Sequence, residues 1–131
     1  MKLLLISVLL AFFTNELAAQ NQQVTEKDFR LLIDGKQYND SINIISKDDL
    51  VKMKTVTANF SWITVKDVII YYQPPMCEAI FQRCAGNIVC TDAKEFIRNL
   101  KPGYIIAIAA DEAVNKQGSK VYIQELFFRI K

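Results

Sequence analysis

CTDAKEFIRNLKPGYIIAIAA, residues 90–110, is the stretch whose reading decides the fold. Ala93, Phe96, Ile97 and Leu100 fall at helical spacing and make one apolar stripe, suited to packing against a sheet. Thr91 or Asp92 can cap that helix, and Asp92 and Glu95 put negative charge near its positive end. Lys101-Pro102-Gly103 stops it, because proline disfavours helix at the residue before it and Pro-Gly suits the centre of a type II turn. Gly103 is therefore expected at positive φ. A helix this short is marginal alone, so its stripe should be buried. Tyr104 to Ala110 is then an almost unbroken apolar run, the pattern of a strand covered on both faces.

Asp111 to Lys120 is polar, contains Gly118, and reads as a hairpin connection to a closing strand at Val121 to Ile130. That strand changes phase: Val121 and Ile123 share one face, Leu126, Phe128 and Ile130 the other. Either a β-bulge near Gln124 and Glu125 reconciles the halves, or both faces are part-buried.

Upstream, Lys2, the apolar run Leu3 to Phe13 and Leu17-Ala18-Ala19 read as a secretory signal peptide over residues 1–19. The run is too short for an ordinary transmembrane span and no later stretch qualifies. The expected product is exported, periplasmic or secreted, with no stable membrane insertion after cleavage. Residues 20–27 are polar, a flexible lead-in, and 28–131 make a single domain. A net charge of +2 with dispersed Lys and Arg excludes nucleic acid as an expected partner.

Along that domain Phe29, Leu31 and Ile33 alternate up to Asp34-Gly35, a tight hairpin turn with Lys36 to Tyr38 as its returning arm. Ile42 to Ile45 is a short apolar run, and Ser46 followed by Asp49 opens one or two helical turns over Lys47 to Met53. Thr55 to Ser61 and Val65 to Tyr72 are strand candidates, the second ended by Pro74-Pro75. Asn59-Phe60-Ser61 matches a glycosylation acceptor, read here as accidental. Ala79 to Phe81 and Ile88 to Val89 flank Gly86-Asn87 as a second hairpin. The fold class is mainly β, a β-sandwich-like domain with one short helix packed on it; a small α+β roll is the alternative.

Export favours a disulfide, and three cysteines allow three pairings. A hairpin at Gly86-Asn87 would bring Cys84 and Cys90 within disulfide reach, leaving Cys77 free or used between chains. The competing reading is three reduced cysteines buried as small apolar residues.

Catalytic signatures are absent. The chain has no histidine, which removes Ser-His-Asp and Cys-His hydrolysis and most catalytic zinc sites, and no metal or cofactor is expected. The acid pairs Asp48-Asp49 and Asp111-Glu112 stand in polar segments and read as solvated loop charge. Trp62, Tyr71, Tyr72, Tyr104 and Tyr122 could form a stacking face for sugar, but they are also ordinary half-buried strand residues.

The order of features from Ile88 to Lys131 resembles the C-terminal periplasmic domains of GldM-type gliding-motility proteins. Cys90-Thr91-Asp92 before the helix, Ile97 and Leu100 within it, Lys101-Pro102-Gly103 after it, Ile106 and Ile108, Gly118, then Ile123, Phe128 and Ile130 carry the likeness. Ile33-Asp34-Gly35-Lys36 is similar to an opening hairpin of such domains, whereas Tyr104 stands where they often carry an acidic residue. The resemblance implies a β-rich envelope domain that binds other envelope proteins without catalysis, linked to gliding or type IX secretion in Bacteroidota, with homodimer formation open. An exported carbohydrate- or cell-wall-binding domain is the alternative function, and a hydrolase working with carboxylates alone is the enzymatic rival.

Overall fold

The computed structural model describes residues 24–131. The expected signal peptide and residues 20–23 of the lead-in lie outside that range. The order of elements is β1 (Leu31–Ile33), β2 (Lys36–Gln37), β3 (Ile42–Ile45), α1 (Lys47–Val51), β4 (Val56–Ala58), β5 (Thr64–Tyr72), β6 (Ile80–Ala85), α2 (Thr91–Arg98), β7 (Ile105–Val114) and β8 (Leu126–Ile130). They form a three-stranded sheet, β2-β1-β4, and a five-stranded sheet, β3-β8-β7-β5-β6. The protein is mainly β, with α2 as its one substantial helix among the described residues.

The opening hairpin follows its turn chemistry. Asp34 (φ 52°) and Gly35 (φ 77°) both lie at positive φ, as a two-residue hairpin turn requires, and set Ile33 opposite Lys36. Asp34 also clamps β1 to the entry of β4: its carboxylate accepts from the backbone amides of Lys54 and Thr55 at 3.2 and 2.9 Å. Ser46 caps α1, its hydroxyl accepting from the Asp49 amide at 3.1 Å. Ahead of β1, Glu26–Asp28 make a 3-10 turn, and the Thr25 amide donates to the Asp28 carboxylate at 2.9 Å. Asn59 serves the same corner, its amide group donating to the Asp28 carbonyl and its oxygen accepting from the Arg30 amide.

One core joins the elements. The inward residues of β5, β7 and β8, among them Val68, Ile70, Ile106, Ile108 and Phe128, pack with Leu31, Ile33 and Val56 of the smaller sheet. Ala93, Ile97 and Leu100 of the α2 segment complete it. Two details of the expected helix change. Cys90 rather than Thr91 or Asp92 occupies the N-cap position, and no side chain caps the helix. Cys90 is tied to Cys84 in extended geometry (φ −73°, ψ 167°), so Thr91 becomes the first helical residue and points outward. Phe96 is half-buried, at the edge of the stripe, because the deeper positions go to Ala93 and Ile97.

The Pro102-Gly103 turn forms as expected. The Tyr104 amide donates to the Lys101 carbonyl at 3.2 Å, and Gly103 sits at φ 91°. Strand β7 then runs further than its apolar stretch, through Asp111 and Glu112 to Val114, so that acid pair lies in a strand and not in a loop. The true connection is Asn115–Ser119, where Asn115 accepts from the Gln117 and Ser119 amides and Gly118 takes φ 80°. The closing strand is shorter than Val121 to Ile130. Lys120 lies opposite Val114 and Leu126 opposite Ile108, in one register, but Tyr122 to Glu125 leave the ladder, apart from a bridge from Gln124 to Arg30. That gap, in place of a bulge, accommodates the phase change: Ile123 and Leu126 are both buried.

The Gly86-Asn87 hairpin does not form. β6 pairs with β5, and after Gly86 (φ 78°) the chain crosses to the smaller sheet, where Ile88 bridges Thr55 and the Val56 amide donates to the Asn87 carbonyl at 2.8 Å. The crossing still brings Cys84 and Cys90 together: their Cα atoms are 5.6 Å apart and the sulfurs are bonded. Cys77 is free and exposed.

Candidate interaction surface

Because side chains alternate across a strand, each inward residue of the five-stranded sheet has an outward neighbour. The outward set is mostly apolar, with Arg83, Asp111 and Arg129 among it. Register places Ile42 opposite Phe127, Phe127 opposite Ala107, Ala107 opposite Tyr71, and Tyr71 opposite Phe81. These residues make a row crossing all five strands on the face turned away from the main core cluster; Ala107 at its centre is itself buried, and Tyr71 and Phe127 are half-buried. Ile69 and Ile105 flank it, opposite Arg83 and Arg129 respectively. The row ends on exposed residues at both edges, with Ile42 and Ile44 on β3 (45% and 65% exposed) and Phe81 on β6 (56%).

Polar groups fix the borders of this face. The Tyr71 hydroxyl donates to the Glu125 carboxylate. Burial first, then that hydrogen bond and the carboxylate's charge, raise the Tyr71 pKa above its ordinary value near 10. Arg83 of β6 pairs with Asp111 of β7 at 3.0 Å. Beside Phe127, an open groove of about 460 Å³ is lined by Glu26, Lys27, Arg30, Tyr122, Gln124 and Glu125. Arg30 is held there by Asp40 at 2.9 Å.

The tyrosines and tryptophan do not gather into one stacking face. Trp62 packs edge-on to Phe29 (5.5 Å between centroids) beside Phe60, and Tyr72 stacks on Tyr104 at 4.4 Å. Tyr71 lies on the outer face and Tyr122 is exposed beside the N-terminal turn. Asp48 and Asp49 occupy the first turn of α1.

Two acids that the sequence did not pair are brought together by an irregularity. β5 and β7 shift register around Lys66 and Asp67, leaving Asp67 opposite Glu112. Both line an open groove of about 610 Å³ with Thr57, Thr64 and Asn87. Such shifts often re-aim side chains beside functional sites. No group of three His, Cys, Asp or Glu that could hold a metal ion occurs among the described residues.

No family model matches the sequence, and no curated protein matches it either. Among the described residues no helix is long and apolar enough to cross a membrane.

Proposed function

We propose that the chain is an exported, non-enzymatic binding or scaffold module of the bacterial envelope that docks other envelope proteins on the outer face of its five-stranded sheet. The observation that carries this reading is the apolar row Ile42–Phe127–Ala107–Tyr71–Phe81, which lies on the face turned away from the main core cluster, with Ala107 buried at its centre and exposed residues at both edges. A sheet normally turns one face to the core and a polar face to water, so an apolar outer row bordered by charges is the composition of a docking surface. The Cys84–Cys90 bond suits an oxidising compartment. The likeness to GldM-type C-terminal domains suggests partners in the gliding or type IX secretion apparatus.

Photo-crosslinkers at Ile44 and Phe127, with Lys94 on the helix as control, test the reading in envelope extracts. Cross-links to a discrete gliding or secretion component from the sheet positions alone are expected. Equal labelling from Lys94, or none from the sheet, would overturn it. The enzymatic rival rests on the Asp67–Glu112 pair in its groove. Glycoside or peptide hydrolysis that disappears in Asp67→Asn and Glu112→Gln would replace the binding reading with that one.

A further inference from the structure

We propose that Arg129 is the specificity-determining residue of the outer sheet face, and that this face takes a protein segment presenting an Asp or Glu side chain flanked by apolar ones. The inference rests on the docking reading and names the chemistry of the partner.

The chain has four arginines, at 30, 83, 98 and 129. Three are already engaged: Arg30 pairs with Asp40 at 2.9 Å, Arg83 with Asp111 at 3.0 Å and Arg98 with Glu95 at 2.6 Å. Arg129 pairs with no acid among the described residues. Its place in the sheet explains why. On β8 it alternates with Phe128 and Ile130, both buried, so its side chain leaves on the outer face. Register sets it between Ile44 of β3 and Ile105 of β7. Phe127 stands two residues before it on the same face and Lys131 two residues after, so none of its neighbours is acidic. Positive charge beside the apolar row is therefore compensated at Arg30 and Arg83 and left open at Arg129.

That arrangement selects the occupant. Arg129 is exposed, and Ile44 beside it is 65% exposed. A partner that covers Ile44 and Ile105 must also strip water from the guanidinium lying between them. A charge stripped of water without a counter-charge is strongly unfavourable, whereas a carboxylate meets the guanidinium fork with two parallel hydrogen bonds. One residue thus favours an acidic partner and rejects a neutral one, which are the two halves of specificity. Lipid headgroups also carry anions, but anionic bilayers are recognised by clusters of basic residues. Here Asp111 and the Glu125 carboxylate bonded to Tyr71 border the same face, and a bilayer would press them against headgroups of their own sign. The face fits a protein better.

The probe is a displayed library of random peptides, selected on the purified chain. Enriched peptides should share an Asp or Glu flanked by apolar residues. Replacing that acid by its amide should weaken binding to the parent by about tenfold or more, yet make no difference to Arg129→Gln, so that the two groups behave as one coupled contact. Arg129→Glu should reverse the preference and select Lys or Arg at the same place. Both variants should keep the parent's melting curve, because the side chain is exposed and unpaired. Peptides enriched without an acid, or no enrichment at all, would overturn the proposal. Binding that falls in Ile44→Asn but not in Arg129→Gln would remove the role of Arg129 and keep the docking face. Binding indifferent to both would remove the docking face as well. Adhesion to phosphatidylglycerol vesicles that disappears in Arg129→Gln, without peptide binding, would replace the protein partner by a lipid surface.

Discussion

Cys84 and Cys90 are joined across a chain reversal that is not a hairpin: one is the penultimate residue of edge strand β6, the other sits at the N-cap position of α2, and their Cα atoms are 5.6 Å apart. The bond therefore couples the sheet edge to the helix that covers the core. Cys84 itself is buried, and the Cys90 amide donates to its sulfur at 3.2 Å. The loop it closes is short, so the stabilisation should sit at the low end for disulfides, about 2 kcal/mol. The Cys84→Ala/Cys90→Ala variant should lose about that much in urea unfolding, and thiol blocking of the native protein should label Cys77 alone. Labelling of all three thiols would remove the bond from the account.

The helix stripe gives a graded expectation. Ile97 is 1% exposed and Phe96 only half-buried. Ile97→Ala should cost roughly 2–5 kcal/mol, as deletions in packed cores do. Phe96→Ala should cost about 1–2 kcal/mol, below the range for a fully buried ring. Paired thermal melts check the order; a larger loss at Phe96 would mean that the helix is rotated from its observed face.

Gly103 offers a test of backbone strain without packing. It holds φ 91°, and a methyl group built there meets nothing within 4 Å. Its amide also donates to the Ile130 carbonyl at 2.7 Å, so the turn cannot relax without loosening the end of β8. Gly103→Ala should then destabilise by about 1–2 kcal/mol purely through conformation. A neutral result would show that the turn adapts.

Local chemistry made much of this legible. The Asp34-Gly35 turn, the Ser46 cap, the Pro102-Gly103 stop and the Ile97 stripe each depend on residues within a turn or two of one another. Pairing between distant segments was not legible. Nothing in Ile42–Ile45 says that it will lie parallel to β8, some eighty residues away, since an apolar run carries no mark of its neighbour. Gly86-Asn87 misled for a related reason: a glycine at positive φ permits a reversal but does not say which strand receives the chain. The outer row was hidden most deeply. It takes one residue from each of five strands and exists only once four registers are known.

Tyr71 links that row to solution pH. Its hydroxyl is the donor to Glu125, so the bond exists only while the phenol keeps its proton. Burial and the neighbouring carboxylate both disfavour the phenolate, which raises the folded-state pKa above the ordinary value near 10 that the unfolded chain retains. A raised folded-state pKa means that this stabilisation is fully present below pH 10. It is lost as pH climbs from there through the folded pKa, because the unfolded chain releases the proton first. Tyr38 and Tyr72 are raised in the same direction, so the whole protein should weaken in alkali. Tyr71→Phe should lose about 1 kcal/mol at neutral pH, the scale of one hydrogen bond, and should show a shallower alkaline decline than the parent. Urea midpoints measured from pH 7 to 11 decide it: parallel declines in the two proteins would detach Tyr71 from the alkaline response.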